Sequence, residues 1–262
     1  MIRKLNGLLK TETIGKVIHY FDETGSTNTV LSRLAGQGAS EGTAVIADKQ
    51  TSGKGRLGRK WISPAGMNLY ISVLFRPSIP ASESPLLTFL ASIALVETIK
   101  KTGIRNTAIK WPNDVQIDGK KVAGVLTEME PRGDRVGYIV VGIGVNINMT
   151  REEIRREMGE TAKYATSLKE SLGHDVDRAK FTGDLLLELE SWYQTFNKRG
   201  KSSIIKEWTE RWGGRDKRVR VVQENGSVTE GTAAGIDGEG HLLLKKEDGS
   251  IVKIITGDVT LI

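Results

Sequence analysis

Apolar positions alternate along Leu69–Phe75, at Leu69, Ile71, Val73 and Phe75, which predicts a strand; a short apolar run at Ala44–Ala47 predicts another. Helical spacing appears next, where Ser84-Pro85 forms a cap and first-turn pair ahead of Leu86, Phe89, Leu90, Ile93 and Ala94, with Gly103 beyond. It returns from Phe181 to Phe196, through Leu185, Leu189 and Trp192, and again from Ile204 to Trp212. Thr29–Ala35, closed by Gly36, reads as a shorter helix, and the aromatics of the long helices read as core. After Gly213-Gly214 the texture changes. Strand-like runs at Val219–Gln223, Val228–Ala234, His241–Lys245 and Ile251–Ile254 are separated by Asn225-Gly226, Asp237-Gly238 and Asp248-Gly249 turns, the pattern of a small β-barrel. Strands and helices mix without regular βαβ alternation, so the fold class is α+β, with a mixed sheet in residues 1–214 and a small β domain in residues 215–262.

The bulk numbers support a packed protein. A chain of 262 residues with 38% hydrophobic content accommodates one large domain and a small one. Absence of cysteine excludes disulfides, thiol nucleophiles and thiolate metal sites. Met1–Lys10 lacks the continuous apolar core of a signal peptide, and no run long enough to span a bilayer stands out, so a cytoplasmic location without a membrane partner is expected. The net charge of +6 is compatible with a nucleic-acid partner, and Arg215–Arg220 (RDKRVR) is the best patch for one; interspersed acidic residues argue against that as the main role. His19, His174 and His241 are too scattered to indicate a triad or a metal site.

The densest chemistry lies in residues 53–61, GKGRLGRKW, where three glycines and four cations share nine positions. Glycine allows close approach of backbone to ligand, and Lys54, Arg56, Arg59 and Lys60 offset the charge of phosphate or carboxylate oxygens. The run fits neither a P-loop nor the spaced glycines of a dinucleotide fold, since a turn and a strand follow it rather than a helix. A loop between strands is therefore expected to hold a nucleotide or an acyl-phosphate. On bare sequence, it reads equally well as a solvated turn.

Three more segments narrow the reading: ETGSTN at Glu23–Asn28, KWPND at Lys110–Asp114 running on through VQIDGKKVAGVLTEME, and VGIGVNIN at Val141–Asn148. With Gln50 ahead of the glycine loop, these blocks resemble, in order and approximate spacing, the signature segments of the biotin protein ligases. The resemblance covers about residues 19–150. It implies a class II aminoacyl-tRNA synthetase-like catalytic domain followed by a Src-homology-3-like barrel, and an enzyme that joins biotin to AMP from ATP and then passes biotin to a lysine of a carrier domain. Such a reaction brings two anions together, so cations at the reacting centre are required.

By the same resemblance Arg56 and Lys121 are the catalytic cations. Ser26, Thr27, Asn28, Gln50, Lys54 and Gly55, with Arg56 and Lys121, hold biotin. Gly53, Gly55, Arg56, Arg59, Trp61, Lys110, Asn113, Asp114 and Asn146 hold the adenylate, while Gly142 and Gly144 let the nucleotide approach the sheet. Magnesium is expected with ATP, a biotin carboxyl carrier protein as acceptor, and a homodimer as in many relatives. Read without the family, Ser26–Asn28 is a helix cap, Lys120 and Lys121 flank an Asp118-Gly119 hairpin turn, and Trp61 is core. The loop departs from the usual family pattern, with Lys54 and Leu57 standing where arginines are common. About twenty residues precede the core, too few for the three-helix DNA reader of some members, so DNA binding is not expected. A lipoate or octanoate ligase of related fold and a biotin-sensing repressor are the rival readings.

Overall fold

The computed structural model describes residues 1–262. A short helix α1 (Ile2–Asn6) leads to β1 (Ile18–Thr24), α2 (Thr27–Gly36), β2 (Ala44–Gln50), β3 (Leu69–Phe75) and the long helix α3 (Pro85–Lys101). Then come β4 (Thr107–Lys110), β5 (Asp114–Ile117), β6 (Lys120–Arg132) and β7 (Arg135–Val145), followed by α4 (Arg151–Met158), α5 (Leu168–Leu172), α6 (Arg178–Arg199) and α7 (Lys201–Arg211). The seven strands form one sheet in the order β1-β2-β3-β7-β6-β5-β4, in which β1 and β2 are parallel and every other pair is antiparallel.

Every residue of β3 is buried, because the middle of the sheet is covered on both faces. The residues that alternate in the sequence, Leu69, Ile71, Val73 and Phe75, join Val125, Ile139, Val141, Ile143 and Val145 in the large core that includes α3 and α6. The intervening positions face the other way. There Leu74, Val45 and Val140 pack under Leu31 and Ala35 of α2, while Ser72, Gly142 and Gly144 lie beside them. One face of the sheet is thus given mainly to apolar packing, with a Thr88–Thr127 hydroxyl contact within it, and the other is divided between α2 and a polar dish.

Helix α3 is the axis of the core, with twelve of its seventeen residues buried. Phe89 stacks on Trp208 at 4.4 Å between ring centroids, and Trp208 meets Trp212 at 5.6 Å. With its leading 3-10 turn, the segment Ala81–Lys101 has the length and hydropathy of a membrane span, a property the sequence reading overlooked; 67% of its apolar window is buried inside the protein, as befits a core helix. Ser84 does not act as a side-chain cap. The 3-10 turn at Ala81–Glu83 runs into the helix, so Ser84 is already in the αR region and its hydroxyl makes no capping bond.

Beyond Gly214 the chain forms β8 (Arg218–Val222), β9 (Val228–Ile236), β10 (Leu242–Lys245), β11 (Ile251–Ile254) and β12 (Asp258–Leu261), an antiparallel sheet in the order β11-β10-β9-β8-β12. The expected barrel is not closed: β11 and β12 are the two edges and do not pair. β12 was absent from the sequence reading because Asp258–Leu261, though alternating, is only four residues long and follows β11 across the three residues Ile255–Gly257 without an Asn-Gly or Asp-Gly turn signal. The sheet docks on the body through the Asp237–His241 turn. Trp111 Nε1 donates to Gly240 O at 3.0 Å, and Gly240, at φ of 88°, sits so close to the Phe89 ring that a Cβ would come within 3.1 Å of it.

Candidate active site

The polar dish begins where β1 hands the chain to α2. Ser26 occupies the cap position in extended backbone, yet its side chain caps nothing; the Thr27 N–H donates instead to Gln50 Oε1 at 2.9 Å. Gln50 lies beside it because β1 and β2 are parallel neighbours that end together, Thr24 opposite Gln50. Gln50 Nε2 donates to Ser63 Oγ (3.0 Å), and Ser63 Oγ donates to Trp61 O (2.9 Å). From the other side, Ser72 Oγ on β3 lies 2.8 Å from Thr27 Oγ1 and 2.6 Å from Asn28 Oδ1. Asn28 Nδ2 donates to Leu126 O at 3.2 Å and to Glu128 Oε2 at 2.7 Å on β6. Ser26, Thr27 and Asn28 are all buried, so this wall is fixed before any ligand arrives.

The glycines of β7 leave room for two side chains from distant parts of the chain. A Cβ on Gly142 would fall inside the Asn28 amide, and one on Gly144 inside the Trp61 indole. They let these two side chains lie flat on the sheet, Asn28 over Gly142 and Trp61 over Gly144. Gly124 in β6 plays the same part, with Trp61 and Lys121 against it. Trp61 Nε1 is buried and has no protein partner.

The cationic run folds as a small hairpin over this wall. Lys54 bridges Lys60, Gly55 N donates to Arg59 O at 2.7 Å, and Arg56–Gly58 make a 3-10 turn in which Leu57 and Gly58 take φ of 56° and 69°. Three of its four cations are tethered. Lys54 Nζ is 3.1 Å from Glu128 Oε1, Arg59 pairs with Asp258 of β12, and Arg56 donates to Thr256 Oγ1 at 3.0 Å and to Asn113 Oδ1 at 3.4 Å. Burial lowers the Arg56 pKa from its ordinary value, and Asp258, Asp114 and Glu224 partly offset this; at neutral pH it remains a cation in a partly dry setting.

Lys121 is the second residue of β6, after the Asp118-Gly119 turn, where φ of 49° and 76° makes the two-residue hairpin that the sequence announced. Its Nζ lies 2.6 Å from Asp114 Oδ1, an ion pair by distance though without hydrogen-bond angles, and 5.2 Å from the Trp61 ring centre. Ser26, Thr27, Asn28, Gln50, Lys54, Gly55, Arg56, Arg59, Trp61, Asn113, Asp114 and Lys121 therefore line one cavity, of about 140 Å³, together with Lys60, Leu126 and Asp258. A second crevice of about 230 Å³ shares Arg56, Asn113, Val125 and Leu126 and extends toward His241 and Ile255 of the C-terminal sheet.

Three of the expected residues stand off the cavity wall. Gly53 is behind it, accepting from Trp61 N; Lys110 pairs with Asp114 in the β4–β5 hairpin; and Asn146 is buried, donating through Nδ2 to Thr166 O at 3.0 Å while its Oδ1 has no protein partner. Sequence reasoning missed Ser63, Ser72, Glu128, Thr256 and Asp258. For Glu128 a signal existed, since it follows Gly124 and Leu126 at the spacing of two that puts residues on one face of a strand. For Thr256 and Asp258 none did, because their place depends on how the second sheet docks. One trio of metal-ligating type occurs, Asp237, Glu239 and His241 in the C-terminal turn, but Lys253 Nζ already sits 2.8 Å from Asp237 and 3.3 Å from Glu239.

Chemically, the dish offers neutral donors and acceptors for a polar ring system at one end and clustered cations for anions at the other. Residues 20–146 match the model of the biotin/lipoate A/B protein ligase family, and residues 216–261 that of the biotin protein ligase C terminal domain. The bifunctional ligase/repressor BirA of Bacillus subtilis is 40% identical over 97% of this chain and 76% of its own length. The biotin–[acetyl-CoA-carboxylase] ligase of Paracoccus denitrificans is 33% identical over 86% of this chain and 93% of its own. Among solved structures, the biotin protein ligase of Aquifex aeolicus in complex with biotin and ATP superposes with a TM-score of 0.77, at 31% identity, over 94% of this chain and 99% of that one. The chain belongs to the biotin/lipoate A/B protein ligase family, on its biotin protein ligase branch.

Proposed function

We propose that this chain is a biotin–[acetyl-CoA-carboxylase] ligase. It activates biotin with ATP to biotinyl-5'-AMP, releasing pyrophosphate, and then transfers biotin to a lysine of a biotin carboxyl carrier protein. The observation that carries the reading is the convergence of Arg56 and Lys121, from separate elements, on the cavity whose opposite end is the Thr27–Asn28–Gln50 wall. In the first step a carboxylate oxygen of biotin attacks the α-phosphorus and the bond to pyrophosphate breaks. Lys121 neutralises the approaching carboxylate and Arg56 the phosphoryl oxygens, so that two anions can meet. Magnesium enters as part of the ATP substrate and leaves with pyrophosphate.

In the second step the carrier lysine, as free amine, attacks the acyl carbon of the mixed anhydride; the acyl–oxygen bond breaks and AMP departs. Asp114, 2.6 Å from Lys121, is placed to orient the incoming amine or to take its proton. The crevice toward His241 and Ile255 gives that amine a route beside Arg56. Residues 215–262 act in this reading as a separate small unit that supports the loop.

Incubating the purified chain with magnesium, ATP and either biotin or lipoate, and following pyrophosphate release, tests the activation step. Mass gain of an added carrier domain tests the transfer. Release with biotin and not with lipoate is expected; the reverse preference would assign a lipoate ligase.

A further inference from the structure

We infer that Glu128 is a positioning residue that couples recognition of the vitamin's ring to closure of the cationic loop. The inference deepens the ligase reading and rests on it. The Glu128 carboxylate is divided between two tasks: Oε2 accepts from Asn28 Nδ2 at 2.7 Å, and Oε1 holds Lys54 Nζ at 3.1 Å.

An ionised carboxylate only accepts, so it dictates which way the Asn28 amide faces. Its nitrogen is held toward Glu128 and Leu126 O, and its oxygen toward Ser72. Asn28 is 3% exposed, so turning its amide would set its nitrogen against Ser72 and its oxygen against Glu128 and Leu126 O, leaving buried polar groups mismatched. From Ser72 the contacts pass through Thr27 and Gln50 to Ser63 and Trp61 O. The chain of polar contacts thus starts at Lys54 and ends at Trp61, near the two ends of the same loop. Loop position and the donor–acceptor pattern of the vitamin wall belong to one network, and Glu128 is where the cation meets the amide. Lys54 and Glu128 are each more than a third exposed, so their attraction alone adds little to stability; what it fixes is where the loop lies.

The test compares Glu128→Ala, Glu128→Gln, Lys54→Ala and the double variant Lys54→Ala/Glu128→Ala. KM for biotin, KM for ATP, kcat for pyrophosphate release and the rate of free adenylate loss are measured for each, with thermal melting as the check on folding. Glu128→Ala is expected to raise the biotin KM roughly ten- to thirtyfold, the range for an unpaired buried polar group, and to increase adenylate loss, with ATP KM changed by less than about threefold. Glu128→Gln is close to isosteric and keeps an acceptor for Asn28 but no charge for Lys54. It is expected to recover most of the biotin KM while losing adenylate as fast as Lys54→Ala. The double variant is expected to lose adenylate no faster than Glu128→Ala. Independent, multiplying effects of Lys54→Ala and Glu128→Ala would overturn the coupling, and so would a Glu128→Gln biotin KM equal to that of Glu128→Ala. A wild-type chain that releases no pyrophosphate with biotin would instead remove the ligase reading itself, which separates the two failures.

Discussion

The two sides of the cavity are built by different physics. The vitamin wall comes from the ends of β1 and β2, the first turn of α2 and the faces of β3, β6 and β7, and its polar atoms are buried and mutually bonded. The loop opposite is exposed at Lys54, Arg59 and Lys60, half-buried at Arg56, and held by single contacts to three distant places: Glu128 in the sheet, Asn113 beside it, and Thr256 with Asp258 in the C-terminal unit. Buried networks are rigid and unforgiving of an unpaired group, whereas exposed ion pairs are individually weak and screened by salt. On the proposed function, ring recognition is preorganised and charge handling is adjustable. A reactive anhydride must be enclosed while it waits and exposed when the acceptor arrives, and the weaker side is the one able to open.

Lys121 is the sharpest challenge to that division, since it is a cation anchored on the rigid side, at the start of β6 against Trp61 and Asp114. Lys121→Ala is expected to lower pyrophosphate release roughly 10²- to 10³-fold, the usual effect of removing one group that stabilises a charged transition state. Its melting curve should stay close to the wild type, because the side chain is 36% exposed and leaves no buried void. A loss smaller than tenfold would show that no reacting group stands at this lysine. Gly142→Ala probes the wall itself. The added methyl would displace the Asn28 amide, so the biotin KM should rise about tenfold or more with ATP KM little changed; equal changes in both constants would mean that the wall does not discriminate the two substrates.

Arg56→Ala tests the loop. It removes the links to Thr256 and Asn113 together, so a smaller loss of adenylation, about tenfold, is expected along with escape of free adenylate into solution. Retained adenylate, seen by rapid filtration after a single turnover, would contradict the view of this loop as a retaining flap. Asp258→Asn severs only the Arg59 pair and should give a fainter version of the same escape, two- to threefold, which high salt reproduces in the wild type. Insensitivity of the wild type to salt would place the loop's hold elsewhere.

How far all this was legible depended on whether the determining contacts are local. The strand at Leu69–Phe75, the helix from Pro85, and the Asp118-Gly119 hairpin follow from period and turn chemistry, so the sequence predicts them closely. The glycine loop and the Ser26–Asn28 turn are also local, which is why their residues meet in one cavity as expected. Gly142 and Gly144 were visible as glycines, but what needed their missing side chains, Asn28 and Trp61, lies more than eighty residues away in sequence. Thr256 and Asp258 reach the site only through docking of a second sheet, and no periodicity encodes that. The unclosed barrel has the same origin: turn signals count hairpins, while whether β11 and β12 meet is a long-range matter that no turn encodes.

That abutment provides the mildest test, through pH. Asp237 shapes the turn that offers Gly240 to Trp111 and Phe89. Burial alone would raise its pKa, but Lys253 and the backbone N–H groups of His241 and Glu239 more than offset this and hold it well below the usual carboxylate range. A depressed folded-state value means that the stabilisation is fully present above the unfolded pKa of about 3.9 and fades as pH falls below it. Thermal melting between pH 7 and 5 should therefore be insensitive to this group, with the midpoint dropping only below about pH 4 and Trp111 emission shifting as the turn loosens. Asp237→Asn removes the charge at every pH, so it should lower the midpoint by a few degrees at neutral pH and flatten the acid limb. An unchanged acid limb in the variant would show that the C-terminal sheet, and with it the anchor of Arg56 and Arg59, is held by its apolar contacts alone.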